Sequence, residues 1–408
     1  MRRVAVIGKN FGDEGKGMAV DHLSLSSPRP LVVRHNGGAQ SGHTVERRNP
    51  EKMRFVFHEL SSGSISRADT LWASGYYPDL LKLGEEIGAF HDAFGFIPRI
   101  YAMEDTSVTV PDDVLINMAL ETSRGDRRHG SCGMGINECD LRTRSGHGLK
   151  LGDLRGMSSR ELRYELLRLR SEYTSARLKE LEGIINGRAD EYLSLLSDEN
   201  VLINAAEMMA DNLGFVEVLK QQDLENLLSG TGTLIFESGQ GLLLDTDNKE
   251  YAPHLTPSNT GLVSVRRFLD RTGGTLDEAV YVSRSYVTRH GAGRLDNECA
   301  PDRIGRIEKD RTNETNEWQG RLRYARHESE SDFAEEVRKD LQRSGLGGCR
   351  VSLFLTHLNE TRNSIALKDR SEPLERFLSH PSIRETFDGF YFSDTPYTED
   401  VRRQEKKC

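Results

Sequence analysis

The apolar positions of this chain gather in short, unbroken runs, and each run empties into a loop rich in Gly, Ser and Asn. Val4-Ala5-Val6-Ile7 leads into Gly8 through Gly17, and Leu31-Val32-Val33 into Arg34 through Thr44. Thr233-Leu234-Ile235-Phe236 leads into Glu237 through Gly241, Ala279-Val280-Tyr281-Val282 into Ser283 through Gly293, and Val351 to Leu355 into Thr356-His357-Leu358-Asn359. Continuous apolar strands followed by polar loops predict an α/β fold, a mostly parallel central sheet flanked by helices, with ligands outside the carboxyl ends of the strands. Residues 159–227 follow another rhythm. Leu162, Leu166, Leu167, Leu169, Leu178 and Leu181 recur among charges at helical spacing, which predicts a helical insertion packed on the sheet. No internal repeat or low-complexity linker divides the chain, so 1–408 is expected to form a single elaborated domain. The charged tail Arg402 to Cys408 is expected to fray.

Charge and composition narrow the partners. The net charge of −9, from 55 basic and 64 acidic residues, argues against a nucleic-acid binder but leaves small anions open, because local basic clusters override a mildly negative whole. No apolar run approaches the ~20 residues of a membrane span, and the first strand begins at the N-terminus, so neither membrane nor signal peptide is expected and a cytoplasmic location is. Five cysteines without a Cys-x-x-Cys pair point to a reducing compartment, with neither zinc nor disulfides.

The chemistry begins in Gly8-Lys9-Asn10-Phe11-Gly12-Asp13-Glu14-Gly15-Lys16-Gly17. Glycines let backbone amides turn inward, a lysine adds charge, and a helix starting at this point adds its N-terminal dipole, which together make a phosphate cradle. The spacing is not that of the ordinary P-loop. A carboxylate beside phosphates is costly unless it binds a metal or takes a proton, so Asp13 and Glu14 suggest chemistry on a nucleotide. A second loop, Gly37-Gly38-Ala39-Gln40-Ser41-Gly42-His43-Thr44, follows the next strand and can face the same crevice, with His43 a candidate acid or hydrogen-bond donor to phosphate.

With these loops the chain resembles the adenylosuccinate synthetase family. The resemblance is carried by Phe11-Gly12-Asp13-Glu14-Gly15-Lys16-Gly17, by Asn36-Gly37-Gly38 with Gly42-His43-Thr44, by His58-Glu59-Leu60-Ser61-Ser62-Gly63 and by Gly133-Met134-Gly135-Ile136. It continues through Phe236 to Asp245, Thr256-Pro257-Ser258-Asn259-Thr260, Thr288-Arg289-His290-Gly291-Ala292-Gly293 and Ser393-Asp394-Thr395-Pro396, in the family's order and over almost the whole chain. It implies the family's P-loop-like fold and a ligase that joins L-aspartate to a 6-oxopurine nucleotide, IMP or dIMP, through a 6-phosphoryl intermediate, using GTP or ATP with Mg²⁺. In the roles it implies, Asp13 takes the N1 proton, His43 donates to the developing oxyanion, and Lys16 neutralises the transferring phosphoryl group; Gln240 contacts the purine. Metal positions are Asp13 and Gly42. Nucleoside triphosphate positions are Gly12, Gly15, Gly17, Gly42, Thr44, Thr356, Asn359, Ser393 and Pro396. Substrate positions are Asn36, Gln40, Ser131, Thr256, Arg289 and Gln319, with Arg321 and Arg323 as forks for the dicarboxylate. A homodimer is implied, in which a neighbour lends an arginine, here Arg142 or Arg144.

Three departures stand out. Cys132-Gly133-Met134-Gly135 lacks the family's threonine and arginine, leaving Ser131, Arg142 and Arg144 as replacements. Thr356-His357-Leu358-Asn359 carries asparagine where the family's aspartate reads guanine, which weakens GTP selectivity and opens the site to ATP or dATP. Thr312 to Gly320 is closer to an archaeal and phage branch, some of whose phage members act on dGMP with serine at the loop aspartate. Retained Asp13 favours IMP or dIMP. The alternatives are a 2-aminoadenylosuccinate synthetase acting on dGMP with ATP or dATP, and a non-catalytic purine nucleotide sensor.

Overall fold

A computed structural model describes residues 1–48, 53–308, 311 and 318–406, the side chain of Asp126 excepted. Its centre is a sheet of ten strands. In chain order these are β1 (Arg2–Gly8), β2 (Pro30–Arg34), β3 (Asp69–Trp72), β4 (Ile100–Met103), β5 (Val216–Leu219), β6 (Thr233–Gly241), β7 (Glu278–Arg284), β8 (Arg350–Thr356), β9 (Gly389–Phe392) and β10 (Arg402–Glu405). Across the sheet they run β10-β9-β8-β7-β1-β6-β2-β3-β4-β5. Every pairing is parallel except β9–β10, which is antiparallel. Val4 is in register with Ile235 of β6 on one side and Glu278 of β7 on the other. With β2 to β6 on one flank and β7 to β10 on the other, the topological switch falls at β1, where ligands of open α/β sheets bind.

The pleat of β1 explains both helical layers. Val4 and Val6 pack on Met18, Ala19, Val20 and Leu23 of α1 (Lys16–Leu25). Ala5 and Ile7 point the other way, into a cluster with Leu262, Val265 and Phe268 of helix Leu262–Thr272 and Phe333 and Val337 of helix Glu330–Ser344. A strand buried on both faces reads as an unbroken apolar run, and each such side chain contributes about 1.5–3 kcal/mol.

Two expectations need correction. The segment 159–227 is helical through Ser159–Leu169 and Glu199–Leu213, capped by Ser158 and Asp198, but it then supplies β5, an edge strand of the central sheet. Its leucines are core residues: Leu162, Leu166 and Leu169 pack with Leu202 and Met209 and with Leu83, Ile87 and Phe90 of helix Leu80–Phe94. Nor does the tail fray throughout, because Arg402–Glu405 pairs along β9. Thr312 to Glu317, read above as a departure from the family, lies outside the described residues. No helix among the described residues is long and apolar enough to cross a membrane.

One buried ion pair fixes the strand that carries His43. That strand, His43–Arg47, pairs with Met53–Phe57 and lies against α1. Arg47 donates to both oxygens of Asp21 on α1 at 2.7 Å, and Ser66 Oγ donates to the same carboxylate at 2.7 Å. Asp21 is completely buried. Removing one partner of a buried pair leaves the other charge uncompensated, so Asp21→Ala is expected to lower unfolding stability by about 3–5 kcal/mol in chemical denaturation.

Candidate active site

The β1–α1 loop folds around its own carboxylate. Glu14 Oε1 accepts from the amides of Asn10 (2.9 Å) and Gly12 (2.8 Å), while Oε2 pairs with Lys16 Nζ at 3.1 Å. Lys16 Nζ also donates to the Gly12 carbonyl at 2.6 Å. Glu14 thus holds the loop from inside, and Asp13 is left on the cavity side. Gly8 makes this possible, since a Cβ there would lie 2.5 Å from Glu14 Oε2 and 2.9 Å from Lys16 Nζ. Burial raises the Asp13 carboxyl above its ordinary range, opposed by the neighbouring His290 and by the Arg284 guanidinium. That moves it toward the range of a general base.

His43 stands on a charged support 194 residues away. Its Nδ1 lies 2.6 Å from Glu237 Oε1, and Glu237 also accepts from the Ser62 amide at 3.2 Å and from Ser62 Oγ. Arg34 Nη1 is 4.0 Å from the other carboxylate oxygen. Burial works against ionised Glu237, but His43, Arg34 and Ser62 outweigh it and hold the carboxyl down at about 2. Burial lowers His43 to about 4, so at neutral pH the imidazole is neutral. A carboxylate only accepts, so Nδ1 carries the proton and Nε2 is bare; Nε2 has no partner in the structure. Anionic phosphates nearby would favour the imidazolium, which the buried carboxylate already stabilises.

Two cavities, of about 400 and about 420 Å³, meet at these residues. Gly15, Lys16, Gly17, Thr44, Thr356, His357, Asn359 and Pro396 line the first. Gln40, Cys132, Gln240, His290 and Gln319 line the second, and a further lobe of about 280 Å³ shares those five and adds Ser131, Met134, Thr256 and Arg289. Gly12, Asp13, Gly42 and His43 form walls of both main cavities. Each is of a size that holds a small molecule. Gln240, next to last in β6, has φ 66°, a left-handed conformation unusual for a residue with a side chain, which brings its amide beside Gly12.

Some expected site residues serve as braces instead. Asn36 donates to the Gly239 carbonyl and accepts from the Gly239 amide, both at 3.0 Å, so its amide ties two loops together and does not line these cavities. Ser393 is buried and donates to the Thr395 carbonyl at 2.6 Å, shaping the turn that presents Pro396. Arg323 is held by Glu298 (Nε to Oε1 2.9 Å) and by the carbonyls of Gly291 and Gly293, and Arg321 is exposed; neither lines these cavities, so the expected pair of forks is not assembled. Arg142 is buried against Asp113 and donates to the Val108 and His147 carbonyls, which removes it as a replacement ligand or a lent arginine. Arg289 is buried over the Phe11 ring (4.6 Å) and still lines the lobe of about 280 Å³. Thr356 Oγ1 donates to the Glu14 carbonyl at 2.8 Å, joining β8 to the loop.

Sequence reasoning gave no role to Glu237 or Arg284. Their signal is a charge closing an otherwise apolar strand, Thr233-Leu234-Ile235-Phe236-Glu237 and Ala279 to Arg284. For a cation, Asp13 and Gly42 offer oxygen atoms on a shared wall, and no group of three or more His, Cys, Asp or Glu residues suited to a metal occurs among the described residues. Oxygen donors of this kind suit Mg²⁺, a hard cation that keeps waters and takes further oxygens from phosphates.

A glycine-rich loop at the switch point of a mostly parallel sheet, with Asp13 and His43 between two cavities, is the arrangement of a nucleotide-binding α/β protein. Residues 5–326 match the family model described as adenylosuccinate synthetase. The chain belongs to the adenylosuccinate synthetase family. The adenylosuccinate synthetase of Trichodesmium erythraeum is 31% identical over 333 residues, 79% of this chain and 70% of that protein. That of a Picosynechococcus species is 28% identical over 325 residues, 75% and 65%. The chain spans about two thirds of the length of the curated relatives it matches. In fold it is similar to the fully ligated adenylosuccinate synthetase from Plasmodium falciparum (TM-score 0.63, 21% identity, 99% of this chain and 87% of that one). It is also similar to the cyanophage S-2L succinoaminodeoxyadenylate synthetase bound to dGMP and dATP as an energy donor (TM-score 0.62, 16% identity, 98% and 95%).

The electrostatics of His43 can be read directly. Its ring nitrogen shifts in ¹⁵N NMR are expected to show a neutral, Nδ1-protonated imidazole from pH 8 down to pH 5, with protonation only near pH 4; a midpoint near 6.5 would mean that pairing with Glu237 offsets burial and would overturn the neutral assignment.

Proposed function

We propose that this chain joins L-aspartate to C6 of a 6-oxopurine nucleotide, IMP or dIMP, with GTP or ATP as phosphoryl donor. The observation that carries this reading is that Asp13 and His43 form a wall common to two cavities, one with the glycine-rich loop and one with Gln240. Purine O6 is a poor leaving group. Removal of the N1 proton by Asp13 builds negative charge on O6, which attacks the γ-phosphorus; the O6–P bond forms as the bond to the β,γ-bridging oxygen breaks and the nucleoside diphosphate leaves. His43, protonated at Nε2 once anionic phosphates lie beside it and backed by Glu237, donates to the phosphoryl oxygens as charge develops. The amine of aspartate then adds to C6, the C6–O bond breaks, inorganic phosphate departs, and loss of an amine proton gives adenylosuccinate.

The remaining assignments follow the cavity walls. Gln240 and Gln40 would hold the purine nucleotide, Thr256 and Ser131 its phosphate end, and Arg289 with Gln319 the dicarboxylate. Mg²⁺, held by Asp13 and Gly42, would neutralise phosphate charge when bound. In a homodimer, Arg144 is the arginine open to a neighbour, since its side chain is 66% exposed where Arg142 is 1%.

Aspartate-dependent phosphate release from IMP, dIMP, GMP or dGMP with each triphosphate tests the reading. Turnover is expected with IMP or dIMP, and turnover with dGMP alone would move the assignment to the 2-amino substrate. Asp13→Ala and His43→Ala are each expected to lower kcat by about 10²–10⁴; near-normal turnover of Asp13→Ala would overturn the mechanism. Asn359 lines the triphosphate cavity with one acceptor oxygen, where an aspartate accepts from both N1–H and N2–H₂ of guanine. Asn359→Asp is therefore expected to raise the GTP:ATP ratio of kcat/KM by about tenfold or more.

A further inference from the structure

A buried polar chain behind the phosphate loop has no part in the steps above. Arg284, at the end of β7, donates through Nε to the carbonyl oxygen of Asp13 and through Nη1 to Tyr286 Oη at 3.1 Å. The Tyr286 hydroxyl donates in turn to Glu360 Oε2 at 2.5 Å, and Glu360 Oε1 accepts the Glu308 amide at 3.0 Å. Glu360 follows Asn359 in the turn after β8, at the base end of the triphosphate cavity. His357 of that turn has φ 57° and sets its ring edge-on to Tyr286, with centroids 6.0 Å apart. Tyr286 itself is 0% exposed and lines neither main cavity. Its hydroxyl is the middle link between the turn that would meet the triphosphate base and the loop that carries Asp13.

We propose that Tyr286 is a positioning residue, through which occupancy of the base end of the triphosphate cavity and placement of the Asp13 loop are coupled, so that triphosphate and 6-oxopurine nucleotide tighten each other's binding. The proposal rests on the function given above. A base seated against Asn359 restrains the turn and with it Glu360. Glu360 orients the Tyr286 hydroxyl, the hydroxyl orients the guanidinium, and the guanidinium holds the Asp13 carbonyl. In a low-dielectric interior such a chain is stiff, because each bond polarises the next and a broken one is costly to leave unmade. Linkage requires the effect to be equal in both directions.

Calorimetric titration tests this without turnover. IMP and a β,γ-methylene analogue of ATP or GTP are titrated separately and each again with the other at saturation. In the wild type each ligand is expected to tighten the other about tenfold. In Tyr286→Phe the tightening is expected to fall below about twofold, while each ligand alone binds within about threefold of wild type. Glu360→Gln, which keeps an acceptor for the hydroxyl, is expected to retain most of the coupling, and Glu360→Ala to lose it; the latter carries the test if Tyr286→Phe melts early. Undiminished coupling in Tyr286→Phe, or binding of both ligands by wild type without coupling, overturns the proposal and leaves the assigned reaction standing. Failure of wild type to bind either nucleotide overturns both.

Discussion

The carboxylate of Glu14 is the constraint on which the site depends. A phosphate-binding loop ordinarily leaves its amides and lysine to an incoming anion, whereas here an internal anion already accepts from two of those amides and pairs with Lys16. The loop is therefore shaped before any ligand arrives, and the groups left to meet one are the helix N-terminus, the Asp13 carboxylate and the facing loop of His43. Such preorganisation suits phosphoryl transfer, where a group placed in advance needs no reorganisation as charge moves.

Around this loop, charges are set in opposed surroundings. Glu237 is buried yet kept ionised by His43, Arg34 and Ser62, while Asp13 is pushed the other way by burial. Two carboxyls near one crevice thus differ in basicity by environment alone, and the weaker acid is the one on the cavity wall. Pairs of titratable groups driven apart in this manner mark acid and base roles.

The interior of the fold was legible because a strand buried on both faces carries an unbroken apolar run, as Val4–Ile7 of β1, Leu234–Phe236 of β6, Ala279–Val282 of β7 and Leu353–Leu355 of β8 do. The strands that were not legible are short or peripheral: Asp69–Trp72 and Val216–Leu219 have four residues each and Arg402–Glu405 is all polar, its pairing being a matter of backbone alone. In the site, the glycine-rich loops were legible since close backbone approach leaves a glycine signature. The brace formed by Asn36 and the capture of Arg323 by Glu298 were not. Their side chains suit a ligand as well as they suit Gly239 or Glu298, and only the folded chain shows which partner is within reach. The support of His43 was hidden for a related reason, its partner being a single acid within a strand far along the chain.

Gln240 shows where durability and chemistry part. A left-handed residue with a side chain costs about 1 kcal/mol that glycine would not, and the chain has glycines on both sides of this position. Selection for a more robust protein would favour glycine at 240, and would remove the amide that reaches the cavity. The last residues of β6 are therefore a place where thermal tolerance and substrate recognition compete for one residue, and thermostable descendants that keep the recognition must find their gains elsewhere.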